Sequence, residues 1–317
     1  MMQRVALIDN PASGPFSSRR AAALKDAASV LRAAGATVEV FETTGMGGAT
    51  SYAHQAVQAG FDTILACGGD GTVHEILQVL VGTTVALGVI PFGTANALAA
   101  DLGLTAKPAE IARVLLEAVP TRIPVGKIHY RDLAGNPSSR HFIVAAGVGA
   151  DALLMSRMDA RLKRRFGYAL YLIEAFRIWA THNFPLFQVT SVGHGGGPVR
   201  QLDASQLLAV RVRSFGGALR ELAPGAAVGN GSLCLLAFCT RSRIKMLRFL
   251  LAVLFRRHTF NGAIEVLDAD SVECELKPPG ATLVFVEADG EVLGQLPARI
   301  EVVRDALTLL IPRNAQP

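Results

Sequence analysis

A carboxylate stands on an almost bare loop in the segment ACGGDGTVHEIL, residues 66–77. An apolar run that ends at Ala66 meets two glycines, then Asp70 and a third glycine, before a helical pattern begins at Thr72. Glycine lets backbone N–H groups approach a phosphate closely, and the following helix N-terminus adds partial positive charge. Asp70 cannot itself attract a phosphate, but it can hold a magnesium ion that does. The alternative is that Asp70 only caps the helix that begins at Thr72.

Two further glycine-rich segments follow predicted strands, NPASG at 10–14 and GTAN at 93–96. Because ligands of an α/β sheet bind beyond the carboxyl ends of its strands, three such loops predict a site for a polyphosphate. The sequence has no G-x-x-x-x-G-K-[ST] motif, and His74 stands where a G-x-G-x-x-G motif needs its third glycine. The predicted phosphate site is therefore neither a P-loop nor a dinucleotide fingerprint.

The elements around these loops predict two domains. Residues 1–123 alternate strand and helix patterns, which predicts a parallel sheet covered by helices on both faces. From residue 124 to 304 short strand-like runs dominate, such as the single run at 199–212, and they predict an antiparallel β domain. Two helical inserts, at about 152–180 and 243–257, are predicted to interrupt it.

The composition predicts a large core, and its basic charge fits either an anionic partner or a basic enzyme whose charge has no bearing on binding. Half of the 317 residues are hydrophobic, 18% are charged, the mean hydropathy is +0.35 and the formal net charge is +5. Four cysteines without a C-x-x-C pair fit buried thiols in a reducing cytoplasm better than disulfides or a zinc site. Basic residues are not interleaved with aromatic ones, so no nucleic-acid partner is predicted.

We expect a cytoplasmic protein, and two segments predict its peripheral contact with the anionic inner face of the membrane. No apolar run approaches the roughly 18 to 20 residues that a membrane span needs. The segments 161–179 and 241–258, the latter with Arg256 and Arg257 near its end, carry basic residues around apolar ones. The alternative is that both are core-packed inserts whose charged ends face water.

The segment GGDGTVHEIL (68–77), with DNPASG (9–14) and PFGTANALAADLGL (91–104), resembles the catalytic domain of diacylglycerol kinases and related lipid kinases, including sphingosine kinases. The resemblance continues to EADGEVLG (287–294). It implies an α/β plus β fold. The N-terminal nucleotide domain would be like that of phosphofructokinase and NAD kinase, and the C-terminal domain would be a β-sandwich. It also implies that residues 305–317 return to the first domain.

The same resemblance implies an ATP-dependent lipid kinase that uses Mg²⁺, a phosphotransferase whose acceptor is the alcohol group of a diacylglycerol-like lipid. Matching motif by motif, the residues implied at the nucleotide are Asn10, Ser13, Thr43, Gly68, Gly69, Asp70, Gly71, Thr72, Val73, His74, Thr94 and Asn96. Asp289 and Glu291 match an acidic pair near the transferred phosphoryl group, where one of them would accept the proton of the lipid hydroxyl. The alternative for Asp289 and Glu291 is a β-turn with solvated acids.

Three positions depart from the family pattern, among them Ala150, which follows Gly149 where the family has phenylalanine. Ala97 stands where the family usually has aspartate, and Asn230 stands where an aspartate often helps to bind a structural magnesium. Asparagine loses the charge that a hard cation prefers, so the sequence identifies no metal ligands there. A kinase of a soluble substrate, as in NAD kinase, and a non-catalytic nucleotide- or lipid-binding regulator stay open as alternatives. The oligomeric state stays open as well, a homodimer included.

Overall fold

The chain folds into two compact units, each described here by itself. The computed structural model describes residues 2–13, 18–45, 47–157, 168–215, 223, 225–254, 264–277 and 283–315. The first unit comprises Met1–Val125, Ser214–Gly217 and Arg304–Pro317, and the second comprises Gly126–Arg213 and Ala218–Val303.

The first unit is built on a parallel sheet, which confirms the predicted α/β class. Its strands are β1 (Arg4–Asp9), β2 (Thr37–Glu42), β3 (Thr63–Gly68) and β4 (Ala86–Pro91), and its helices are α1 (Ser18–Ala33), α2 (Gly48–Gln58), α3 (Asp70–Leu80), α4 (Ala97–Asp101) and α5 (Pro108–Leu116). The strand order is β2-β1-β3-β4 with parallel neighbours. Every residue of β3 is buried, as expected of a central parallel strand that has both faces covered.

Helices α3 and α4 differ from the prediction. Helix α3 begins at Asp70 rather than at Thr72, because Gly69 takes the N-cap position with extended backbone angles. The five-residue helix α4 follows Asn96 and was not predicted, because so short a segment has no period to detect.

The second unit is mainly antiparallel, as predicted. Its strands are β5 (Val119–Arg131, which begins in the first unit), β6 (Pro137–Phe142), β7 (Ala145–Gly149), β8 (Phe187–Gly193), β9 (Val199–Ala204), β10 (Gln206–Val210), β11 (Leu233–Phe238), β12 (Ile264–Leu276), β13 (Phe285–Ala288) and β14 (Glu291–Ile311). They run in the order β13-β7-β10-β11-β12-β8-β9, and the first half of β14 pairs with β13 and β12. The second half of β14 lies in the first unit, where Thr308 and Leu309 pair in parallel with β4.

A core of fully buried side chains, among them Phe142 and Phe187, fills the β-sandwich. The strand predicted as one run at 199–212 is two strands, because Ser205 interrupts it and donates its hydroxyl to the Thr240 carbonyl oxygen at 2.6 Å. Helices α6 (Ala150–Arg157), α7 (Tyr168–Thr181) and α8 (Arg243–Leu254) account for the predicted inserts. The parts of those inserts at 158–167 and 255–257 lie outside the described residues.

Candidate functional site

Thr72, in the first turn of α3, connects the first glycine-rich loop to the central one. The Asn10 side-chain amide donates to Thr72 Oγ1 at 3.2 Å, and Ser13 Oγ lies 3.4 Å from the same oxygen. Thr72 is buried, whereas Asn10 and Ser13 are half-buried. Three residues predicted at the nucleotide are therefore brought within hydrogen-bonding distance by two loops that are about 60 residues apart in the chain.

Asp70 connects the central loop to the third loop. Its Oδ2 accepts the Asn96 N–H at 2.9 Å, and its Oδ1 accepts the Ala97 N–H at 2.7 Å. The capping alternative for Asp70 therefore named the wrong helix: Asp70 is the first residue of α3 and caps the N-terminus of α4. The substitution at Ala97 leaves this contact intact because the donor is a backbone N–H.

The central and third loops approach so closely that only glycine fits at position 93. A Cβ atom on Gly93 would lie 2.5 Å from the Gly69 Cα and 2.7 Å from Asn96 Oδ1. The Gly93 N–H donates to that same Asn96 oxygen at 2.9 Å. All three glycine-rich loops therefore form one cluster in the first unit.

Arg20 holds the first loop in place, and sequence reasoning missed it. Its buried guanidinium donates to Asp9 Oδ1 at 2.6 Å, to the Asn10 carbonyl at 2.9 Å and to the Cys67 carbonyl at 3.2 Å. The same group lies 4.3 Å from the centroid of the Phe92 ring. The available sequence signal was Asp9, a carboxylate at the end of a buried strand, which needs a cationic partner.

Glu75 organises the start of α2, and Thr43 lies close to it. The Thr43 hydroxyl oxygen is buried, and it makes no hydrogen bond within the described part of the chain. The Glu75 carboxylate accepts backbone N–H groups from Gly47, Ala49 and Thr50 at 3.0 to 3.3 Å. Glu75 therefore caps α2 from α3, a role that its position in the sequence did not reveal.

The other residues predicted to contact the nucleotide differ in how far they are exposed to solvent. Gly68 is buried at the end of β3, and Gly71 is half-buried in the first turn of α3. The side chains of Val73 and His74 are buried, so a ligand in this loop could reach only their backbone. Thr94 is exposed on the third loop.

In the second unit, Asp289 is part of the backbone framework. Its Oδ1 accepts the N–H groups of Val144 and Ala145 at 2.8 and 3.1 Å, and its Oδ2 accepts that of Ile143 at 3.1 Å. Asp289 is buried and adopts a positive φ of 50° at the turn between β13 and β14. Glu291 follows the turn and is exposed. The predicted acidic pair therefore splits into a carboxylate that holds the backbone and one that faces solvent.

Two more acidic side chains, Asp151 and Glu287, share a hydrogen bond behind this turn. Their carboxyl oxygens flank Gly147, where an added Cβ would lie 2.7 Å from each, and Glu287 also accepts the Gly290 N–H at 2.8 Å. Burial raises the pKa of Glu287 well above its ordinary value, and the nearby Asp151 charge raises it further. Burial raises the pKa of Asp151 as well. The pair therefore favours a state in which one carboxyl stays protonated.

The loop around Asn230 does not fit a structural metal ion. The fully buried Arg211 guanidinium donates to the carbonyl oxygens of Val228, Asn230 and Ser232 at 3.0 to 3.2 Å. Burial lowers the pKa of Arg211 to about 10, so it stays charged at neutral pH. The Asn230 side-chain amide donates to the Gly225 carbonyl at 2.9 Å. The carbonyls that a hard cation would use are therefore bound to an internal cation.

Comparison with known proteins identifies the family. Residues 4–128 match the diacylglycerol kinase catalytic domain, and residues 143–311 match the YegS C-terminal NAD kinase beta sandwich-like domain. A protein named diacylglycerol kinase from Mycobacterium tuberculosis strain H37Rv is 32% identical over 317 residues, which cover 98% of this chain and 96% of the relative. The chain belongs to the diacylglycerol kinase family. The family inferred from the motifs is thereby confirmed, and phosphoryl transfer is the reaction class of its kinases.

A further relative has a matching name, and two solved structures share the fold. A "Probable lipid kinase YegS-like" from Chromohalobacter salexigens is 29% identical and covers 92% of this chain and 89% of its own. A solved diacylglycerol kinase structure from Bacillus anthracis has a TM-score of 0.71 at 20% identity, with 99% of each chain covered. A yeast NADH kinase has a TM-score of 0.53 at 12% identity and covers 98% of this chain and 84% of its own. These two likenesses confirm the expected fold.

Proposed function

We propose that this chain is an ATP-dependent kinase that transfers the γ-phosphoryl group to a hydroxyl of a diacylglycerol-like lipid. The observation that carries the proposal is the cluster of three glycine-rich loops around Asp70 and Thr72 in the first unit. The lipid acceptor is supported by the relatives, which are named diacylglycerol kinase or probable lipid kinase.

The loop cluster presents groups that suit a nucleotide phosphate. Asn10 and Ser13 offer an amide and a hydroxyl, both held by the buried Thr72 hydroxyl, and the helix N-terminus at Asp70 adds partial positive charge. A bound Mg²⁺ would neutralise charge on the phosphate oxygens during transfer. Asp70 suits it, because Mg²⁺ prefers carboxylate oxygens and needs few protein ligands beside phosphate. The described residues contain no cluster of three His, Cys, Asp or Glu that could hold a metal alone.

For the proton of the attacking hydroxyl, we propose Glu291 as the acceptor. Glu291 is exposed, whereas both Asp289 oxygens accept backbone N–H groups. An acceptor that must take a proton during the reaction would lose such bonds, which would loosen the turn it holds. Asp289 then positions the turn that carries Glu291.

The experiment is a phosphorylation assay with radiolabelled ATP and Mg²⁺ on a panel of acceptors. The panel contains diacylglycerol, phosphatidylglycerol, ceramide, a sphingoid base and NAD. We expect label in diacylglycerol, and we expect Asn10→Ala to reduce it. Label in NAD alone would favour the soluble-substrate alternative. Label in none of them would favour a non-catalytic regulator, and the proposal would fail.

A further inference from the structure

Helices α7 and α8 are bonded to each other within the second unit. The Trp179 indole N–H donates to the Arg243 carbonyl at 2.9 Å, and the Arg243 guanidinium donates to the His182 carbonyl at 3.2 Å. Beneath them, Ile178 is buried in a small apolar cluster against which Met246 packs. These hydrogen bonds and this apolar cluster attach the inward faces of both helices to the rest of the unit.

The outward faces of these helices leave large apolar side chains in solvent. Ile173 and Phe176 on α7 are 62% and 66% exposed, and Ile244 and Leu247 on α8 are 70% and 38% exposed. Each helix repeats one exposed pattern, two apolar residues and an arginine at i, i+3 and i+4: Ile173, Phe176 and Arg177 on α7, and Ile244, Leu247 and Arg248 on α8. Apolar groups concentrated in this way mark an interaction surface rather than ordinary exposure.

The charge beside these side chains selects an anionic partner. The segment 241–254 contains four basic residues and no acidic one. On α7, the one acidic residue, Glu174, is half-buried and lies 3.6 Å from Arg177. A surface of exposed apolar side chains flanked by arginine and lysine matches the boundary of an anionic bilayer, where apolar groups reach acyl chains and basic groups reach phosphates.

We propose that Ile173, Phe176, Ile244 and Leu247, with Arg177 and Arg248, form a docking surface for an anionic lipid bilayer. No helix of the described residues is long and apolar enough to cross a bilayer, so contact through these helices would be peripheral. This role of the docking surface presupposes the proposed lipid kinase function, because a diacylglycerol-like acceptor resides in a membrane. Its test needs no phosphoryl transfer, so a failed kinase assay and a failed docking test are separate results.

The test is co-sedimentation without ATP, using vesicles of phosphatidylcholine alone or mixed with phosphatidylglycerol. We expect the unmodified chain to bind the mixed vesicles. The double variant Phe176→Ser/Ile244→Ser should bind at least about tenfold more weakly, because two apolar anchors are lost. Arg177→Gln/Arg248→Gln should lose the preference for anionic vesicles. The matched controls are Leu133→Ser, at a residue 69% exposed, and Arg200→Gln, and neither should change binding.

A second readout needs no variant, because Trp179 is the single tryptophan of the chain. Brominated phosphatidylcholine mixed with phosphatidylglycerol should quench Trp179 fluorescence when the protein sediments with the vesicles. Sedimentation without quenching, or equal binding by the apolar double variant, would overturn the proposal. So would a dimer in size-exclusion chromatography that the apolar double variant dissociates while vesicle binding is unchanged, because the occupant would then be a second copy of the chain.

Discussion

At the scale of single residues, the Asp151–Glu287 pair links stability to pH. The folded pKa of Glu287 is raised well above the ordinary 4.5. Between pH 4.5 and the folded pKa, unfolding therefore releases a proton. The stabilisation is therefore complete below about pH 4.5 and is lost as pH rises through the folded pKa. Relative to Glu287→Gln, the free energy of unfolding of the unmodified chain should fall with pH, by at most about 1.4 kcal/mol per pH unit for one proton.

Urea unfolding at a series of pH values from 4.5 upward measures this difference. Glu273→Gln is the control, because it makes the same substitution at an exposed strand residue. Parallel stability curves for the unmodified chain and Glu287→Gln would contradict the shared-proton state.

The two residues of the acidic turn should respond differently to loss of charge. Glu291→Gln should lower turnover roughly 10²-fold or more, as expected for a general base, and lower the melting temperature less than Asp289→Asn does. Asp289→Asn should cost about 1–3 kcal/mol of stability, because one side-chain oxygen cannot accept all three backbone N–H groups. Turnover with the lipid acceptor and thermal unfolding measure both effects. Full activity in Glu291→Gln would remove Glu291 as the proton acceptor.

Which residues could be predicted depended on where their partners lie in the chain. Asn10, Ser13 and Asp70 belong to motifs readable in a few consecutive letters. Arg20 holds the first of these loops, and the Glu75 carboxylate caps α2, which begins 26 residues before it or more. Asp151 and Glu287 meet only through the pairing of β13 with β7. Such long-range contacts leave no local pattern in a single sequence.

At the scale of elements, the contact between the central and third loops can be broken by one methyl group. In Gly93→Ala the new Cβ would meet the Gly69 backbone at 2.5 Å, so one of the two loops must move. We expect weaker ATP binding by calorimetry and a lower melting temperature. Gly225→Ala is the control, because no atom of the described residues lies within 4 Å of its added Cβ. Unchanged ATP affinity in Gly93→Ala would separate the loop cluster from nucleotide binding.

The stability of the loop around Asn230 should depend on Arg211 and not on a metal ion. Arg211→Met would strand three carbonyl oxygens that now bind the guanidinium, at a cost of at least about 3 kcal/mol. Thermal unfolding should be unaffected by EDTA in the unmodified chain. The exposed Arg200→Met is the matched control. A large fall in melting temperature on adding EDTA would indicate a metal ion in this loop.

The elements themselves were predicted best where their hydrophobic period was long. The central strand β3 is buried throughout, and its apolar run marked it clearly. Helix α4 escaped prediction because five residues complete little more than one turn. The break at Ser205 also escaped, because its cause is a hydrogen bond to Thr240, 35 residues later in the chain.

At the scale of the whole molecule, the buried thiols report unfolding. Burial raises the pKa of Cys67 and of Cys274, and it raises that of Cys234 to about 11, so native labelling at neutral pH should require opening. Cys67 ends the strand that leads into the central loop. Saturating Mg²⁺ and ATP, at about 100 times the dissociation constant, should slow Cys67 labelling about 100-fold. Mass spectrometry of labelled peptides measures it, with Mg²⁺ alone as the control. An unchanged Cys67 rate would contradict nucleotide binding in this unit.

The position of the last strand, β14, has a consequence for folding during synthesis on the ribosome. Thr308 pairs with Ala86 and completes the parallel sheet. Thr308 is translated about 220 residues after Ala86, which takes on the order of 10 to 40 s at ordinary elongation rates. Throughout that interval the outer edge of β4 has no strand beside it. Exposed edges of this kind invite pairing with other chains, so the nascent protein passes through a stage in which chaperones would be of most use.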